Sequence, residues 1–262
     1  MGLPELVRER ERACRLVPSL ALETLDEAEA FLRERGLLTR TADSALPSLF
    51  GACHEEPYKP GSRGFGLWPR TKWPWAFELA ERPGVHVLRI HRGKGLFVTE
   101  ATAALVDPLA RAELARAEDG GYGPEATLLL AHLADAGPSL LEEVREETEL
   151  DPRRLRAKLE RVGALVARPM FLDERKNTSE LARWDQVFPV AASGGGLGEL
   201  LVAGVRAAVV APEGEARRWF SWPVSLALVD ELVASKRVER PMAGWLSAAE
   251  TSSRPGREAP GT

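Results

Sequence analysis

The sequence predicts a mainly α fold with small β-hairpins, organised as tandem winged helix-turn-helix domains. Three observations point there. Apolar residues recur at helical spacing behind well-formed N-caps. Two β-branched runs, at 85–90 and 96–99, flank a short glycine-containing turn. In the middle third, three short helices are followed by a two-stranded wing. The 262 residues, 44% hydrophobic, are enough for a sizeable core. They divide into an N-terminal helical, winged-helix-like domain with a basic hairpin (1–120), a winged helix-turn-helix (121–192), a second one (193–249) and a disordered tail (250–262).

Residues 4–17 read as a helix with Pro4 in its first turn. Thr24 is an N-cap with Glu27 in the capping-box position, and Leu25, Ala28, Phe31 and Leu32 form a stripe that Gly36 ends. A short helix is expected at 46–50, a long ordered loop at 57–75 and a helix over 73–81, where Pro74 fits only the first turn. The hairpin follows. Its tip carries Arg89, His91, Arg92 and Lys94, with no acid between Arg89 and Thr99. Such a tip is either a charged turn that discourages edge pairing or a basic finger for a phosphate backbone.

Gly123-Pro124 opens a helix closed by Gly137-Pro138, and a second helix, 139–149, has Ser139 as cap with Glu142 in the box position. Asp151-Pro152 caps a third, 153–162, stopped by Gly163. Residues 164–172 read as a strand, 173–183 as a polar loop and 184–190 as the second wing strand. Charge separates the helices. Residues 139–150 carry net −4, whereas 151–161 carry net +3. Leu155, Leu159 and Val162 share one stripe, which leaves Arg153, Arg154, Arg156, Lys158 and Arg161 on outer faces. The glutamates of the preceding helix could instead neutralise these cations, but a basic third helix occupies the recognition position of a winged domain. Arg175 and Lys176 in the wing loop would assist.

The last third repeats the scheme, with helices at 197–210, 215–220 and 224–234 and a wing at 236–246. Its third helix carries Asp230 and Glu231, so it reads as packing scaffold.

Composition excludes several classes. With 35 basic and 39 acidic residues the net charge is −4, unlike a globally basic nucleic-acid coat. No apolar run approaches a membrane span, and Gly2 does not make a myristoylation signal because Leu6 stands where Ser or Thr is needed. Two cysteines, Cys14 and Cys53, exclude a disulfide framework and suit a reducing cytoplasm. His54, His86, His91 and His132 lack metal-ligand spacing, the adjacent Cys53-His54 pair lacks a third partner, and the Gly194-Gly195-Gly196 run reads as a flexible linker. Neither metal nor cofactor is expected. Without a long heptad run, a monomer is favoured.

The order of elements, with GLLTRTADSALPSLFGA early and LLVAGVRAAVVAPEGEARRWFSWP late, resembles the AlkZ/YcaQ family of winged-helix DNA glycosylases, in particular shorter AlkZ-related proteins. The resemblance spans about Glu23 to Leu246 and implies tandem winged helices around a concave DNA channel, with a basic hairpin near an alkylated base. It departs from the family at the catalytic motif. There a Gln-x-Gln or Gln-x-Asp pair follows a Gly-apolar-Leu triplet, whereas here Gly36-Leu37-Leu38 is followed by Thr39-Arg40-Thr41. The single glutamine, Gln186, is far away. Excision needs a group to orient or deprotonate water. Asp43 could supply a carboxylate, and Arg40 would contact phosphate. Trp68, Trp73 and Trp75, beside Arg70 and Lys72, either pin the loop to the core or stack on bases. The expected partner is double-stranded or damaged DNA. Binding alone, carboxylate-dependent base excision and a regulatory scaffold are the competing functions.

Overall fold

The structure, a computed structural model, describes residues 2–173 and 176–249, and their side chains except at 171–173, 176 and 177. Arg175 and the tail at 250–262 lie outside the described residues, and so does the side chain of Lys176. The described part is mainly helical, with three small antiparallel sheets.

After α1 (Leu3–Ala13), one order of elements occurs three times. The first unit holds α2 (Leu25–Arg35), β1 (Leu37–Thr39), α3 (Leu49–Ala52), α4 (Trp75–Glu78), β2 (Val85–His91) and β3 (Lys94–Thr99). A long helix, α5 (Glu100–Glu118), leads to the second: α6 (Pro124–Ala136), β4 (Ser139–Leu140), α7 (Leu141–Thr148), α8 (Pro152–Arg161), β5 (Leu165–Asp173) and β6 (Lys176–Arg183). A turn of helix, α9 (Trp184–Val187), precedes the third: α10 (Leu197–Ala208), β7 (Val210–Pro212), α11 (Glu213–Ala216), α12 (Leu226–Ala234), β8 (Val238–Glu239) and β9 (Trp245–Ala248). In every unit the last strand lies between the other two, giving β1-β3-β2, β4-β6-β5 and β7-β9-β8.

Local chemistry explains the boundaries. The Thr24 hydroxyl accepts the Glu27 N–H at 3.2 Å, and the left-handed Gly36 closes α2. Asp151 caps α8, accepting from the N–H groups of Arg153 at 3.2 Å and Arg154 at 3.4 Å. The strands β2 and β3 meet through a two-residue turn in which Arg92 and Gly93 both take positive φ, as a turn matched to strand twist requires.

Several boundaries differ from expectation. Ser139 is not a cap; it pairs with Leu181 as part of β4, and the box is closed by Glu143, which accepts the Leu140 N–H at 2.8 Å. The polar run 176–183 is strand β6 rather than a loop, and Trp184, expected in a strand, starts α9. The glycine run is no slack linker. A Cβ on Gly195, whose φ is +109°, would lie 2.8 Å from the Ala104 carbonyl oxygen, and Gly196 N–H donates to Leu105 O at 2.8 Å. That segment is docked on α5.

One apolar core runs through all three units along α5, and a second, around Phe31, Leu49 and Phe97, belongs to the first unit. At the N-terminus, α1 crosses to the third unit, where Leu6 packs against Val209 and Val210.

Candidate nucleic-acid interface

The interface begins where α8 of the second unit lies against β2 of the first. Leu155 and Leu159 form the buried stripe of α8, and Glu160 is also buried, only 4% exposed. Its carboxylate accepts from Arg156 Nε at 2.8 Å and faces Arg89 Nε, on β2, at 3.4 Å. Burial pushes the Glu160 carboxyl above its ordinary range, and the two guanidiniums oppose that shift. Arg156 also donates to Ser179 Oγ at 2.8 Å. One acid thus ties the basic helix to the basic hairpin.

Between these elements opens a cleft of about 720 Å3, walled by β2, β3 and α4 on one side and by α8, β5 and β6 on the other. Arg40, Arg89, Arg156 and Arg168 line it, with Glu81, Glu160 and Glu180 also on its walls. A neighbouring depression of about 490 Å3 shares Phe77, Arg89, Arg156 and Glu160 and adds Arg153, which extends the cationic track along α8.

Arg40 reaches the cleft from the end of β1. Its guanidinium lies 4.9 Å from the Trp68 ring centroid, and its buried Nε has no hydrogen-bond partner among the described residues. Burial, and then the charge of Arg89, lowers its pKa from the usual value. The flanking Thr39 turns inward, its hydroxyl donating to Thr41 O at 3.0 Å and Pro47 O at 3.2 Å, so Arg40 alone of the 39–41 triplet lines the cleft.

The other expected cations divide into two groups. Arg154 and Lys158 turn toward α6: Arg154 pairs with Glu125, and Lys158 donates to Tyr122 O at 3.0 Å. Arg161 is exposed and has no ion-pair partner among the described residues. Among the glutamates of α7, Glu147 faces His132 and Glu142 accepts from Thr178. The expectation that all five α8 cations lie on outer faces therefore needs correcting at Arg156, which is held between Glu160 and Ser179.

The hairpin tip is covered on one side by the third unit, where Ser221 donates to Ile90 O through its N–H at 2.9 Å and its hydroxyl at 3.0 Å. Arg92 donates to Arg218 O at 3.2 Å. His91, expected at an accessible tip, is fully buried. Its ring nitrogens have no hydrogen-bond partner among the described residues, and Asp43 Oδ1 lies 3.6 Å from Nε2. Burial pushes its pKa down against the opposing charge of Asp43, so the ring is neutral at pH 7 and out of reach of phosphate. Lys94 is exposed and ion-paired with Asp43. Burial alone would raise the Asp43 carboxyl, but the bond to and charge of Lys94 outweigh it and hold the group below its ordinary range. Asp43 does not line the cleft.

The tryptophans form a platform. Trp68 packs on Phe50 at 5.3 Å and Phe65 at 4.8 Å, Trp73 on Phe65 at 5.4 Å, and Trp75 lies under Lys72 at 5.4 Å. All three are half-buried.

Sequence reading missed Glu160 and Arg168 as members of the cleft. Arg168 had a visible signal, as a charge inside the apolar run ALVARPMFL. Glu160 had none, because an acid amid arginines reads as one more surface charge. Among the described residues, no group of three or more His, Cys, Asp or Glu is placed to hold a metal, and no helix is long and apolar enough to cross a membrane. No protein-family model, curated protein or solved structure matches the chain.

Proposed function

We propose that this chain is a cytoplasmic, tandem winged-helix protein that binds double-stranded or damaged DNA, with a role in DNA repair or damage recognition, as its resemblance to the AlkZ/YcaQ family implies. Each unit follows the helix–strand–helix–helix–strand–strand order of a winged helix, which supports reading α8 as a recognition helix and β5–β6 as its wing. The single observation that carries the proposal is the packing of α8 on β2. It brings Arg89, Arg153, Arg156 and Arg168, from two units, to one track joined by Arg40. A duplex lies across the mouth of this track, while the cleft, at about 720 Å3, is the size of a single small ligand or nucleotide.

The test is fluorescence anisotropy on a short duplex over a range of salt. Each phosphate that is no longer neutralised should reduce the slope of log affinity against log salt by about 1. Replacing Arg89, Arg153 and Arg168 with alanine should flatten that slope by roughly 2–3. An unchanged slope means the track is not the DNA site.

A second reading, base excision, is favoured by one observation: the cleft contains a buried carboxylate, Glu160, whereas Asp43 lies outside it, held by Lys94. In this reading the ionised form of Glu160 takes a proton from the water that attacks the sugar carbon, the Arg156 and Arg89 guanidiniums favour that form against burial, and the base leaves with the glycosidic electron pair. Single-turnover excision on alkylated DNA should then fall about 100-fold or more in Glu160→Gln and stay unchanged in Asp43→Asn. If wild type releases no base, excision is removed and binding stands.

A further inference from the structure

The loop between α3 and α4 offers a second feature that the cleft does not use. Pro57 and Pro69 bridge at its neck, Tyr58 N–H donates to Trp68 O at 2.7 Å, and Lys59 N–H donates to Gly66 O at 2.8 Å. The loop is therefore a closed protrusion with its own backbone ladder. Its inner layer is Trp68 and Trp73, against which Phe65 packs at 4.8 and 5.4 Å, and Tyr58 follows at 5.9 Å from Phe65. Its outer layer faces solvent: Tyr58 is 60% exposed, Phe65 46% and Leu67 52%. These are three of the seven large exposed hydrophobics among the described residues, gathered within ten positions.

Charge narrows what such a surface accepts. Residues 57–77 contain four basic residues and no acid. Lys59, Arg63 and Arg70 are exposed, and among the described residues none has an ion-pair partner; only Lys72 is neutralised, by Glu23 at 3.0 Å. Rigid aromatic faces ringed by unpaired cations match bases and phosphates together. Position adds to this. Trp68 touches Arg40 and lies 6.2 Å from Phe77, and both of those residues line the cleft, so the loop stands beside the cationic track.

We propose that Tyr58, Phe65 and Leu67 form a stacking wedge that engages unpaired bases of DNA lying on the track, with Lys59, Arg63 and Arg70 holding the flanking phosphates. This rests on the DNA-binding reading above and deepens it. The wedge makes locally unpaired DNA the preferred ligand over a fully paired duplex. Unstacking a paired step is costly, whereas bases that are already unpaired stack without that cost.

The experiment compares a short paired duplex with the same duplex carrying a central stretch of mispaired bases, one of them 2-aminopurine. Wild type should bind the mispaired duplex at least about tenfold more tightly, with a change in 2-aminopurine fluorescence as the base meets a ring. The Tyr58→Ala/Phe65→Ala/Leu67→Ala variant should lose that preference while its affinity for the paired duplex changes less than about twofold. The Lys59→Ala/Arg63→Ala/Arg70→Ala variant keeps the rings; it should keep the fluorescence change at saturation and show a flatter salt dependence. Equal affinity of wild type for the two DNAs, or a preference that survives removal of the rings, overturns the wedge, as would follow if a protein or lipid surface were its occupant. Those results leave duplex binding intact. Absence of salt-sensitive binding to the paired duplex instead removes the reading on which the track rests.

Discussion

At the scale of single residues, His91 sets the chemistry of the hairpin tip. A tight turn of cationic residues reads as solvated, yet folding brings the third unit over it and leaves an imidazole with no hydrogen-bond partner among the described residues. Around it stand Asp43, at 3.6 Å, and Arg92 beside it in the chain, with Lys94 bound to that same aspartate. Burial lowers its pKa from 6.5, so between the folded value and 6.5 the unfolded chain carries a proton that the folded chain refuses. Stability contributed by the neutral ring is thus present above pH 6.5 and is lost as pH falls through that window. Asp43 titrates below the ordinary carboxylate value of 3.8 and leaves the window undisturbed. A His91→Leu variant fills similar volume and cannot charge. Its melting temperature should gain on wild type as pH is lowered from about 7.5 to about 5, by roughly 2–4 °C for each kcal/mol involved. Parallel curves would mean that His91 is not the group that titrates.

At the scale of elements, capped helices were legible and polar strands were not. Thr24, Gly36 and Asp151 act through bonds within their own few residues, so the sequence alone locates the ends of α2 and α8. Strand β6 is different. Its sequence, KNTSELAR, shows no apolar alternation because it is the central strand, paired with β5 on one side and β4 on the other, and the polar Thr178 and Ser179 are buried along with Leu181 and Ala182. The same pairing claims Ser139, which local pattern reads as a cap. Helix α5 escaped notice for another reason. Its buried face is built of small residues, Ala103, Ala110 and Ala117, with Val106 and Leu114, and Pro108 stands in its middle. That proline offers no N–H to the Ala104 carbonyl. The glycine run lies along this stretch: Gly195 packs against the Ala104 carbonyl, and Gly196 donates to the Leu105 carbonyl next to it. That docking is tertiary, and no reading of residues 100–118 by themselves contains it. At the site the division is similar. Cations on α8 and β2 were readable as two basic segments. That Arg89 and Arg156 share one acid, Glu160, depends on packing between units.

At the scale of the whole molecule, the cleft requires two units held in fixed relation, and α5 supplies the strut. Asp107, 3% exposed, sits on this helix and accepts from Trp184 Nε1 at 2.7 Å, from Ala192 N–H at 2.9 Å and from Arg111 Nε at 2.9 Å. Trp184 follows β6 of the second unit, Ala192 lies on the approach to the third, and α5 itself continues from the hairpin of the first. One carboxylate therefore joins all three. Burial alone would raise its pKa; the indole, the backbone N–H and Arg111 outweigh burial and hold the group below the ordinary carboxylate value of 3.8. The stability it contributes is accordingly present above that value and is lost as pH falls below it. Asp107→Ala leaves a buried indole N–H and a backbone N–H without this acceptor and takes the ion-pair partner from Arg111, which keeps its bond to Phe188 O, a destabilisation of about 3–5 kcal/mol. Asp107→Asn keeps an acceptor oxygen while removing the charge, and should cost roughly half as much. Urea unfolding at neutral pH checks the order, with wild type most stable, then the asparagine variant, then the alanine variant. A destabilisation below about 1 kcal/mol for the alanine variant would place this carboxylate among ordinary surface acids, and the alignment of hairpin and basic helix would then rest on the shared apolar core and the Arg89–Glu160–Arg156 contact.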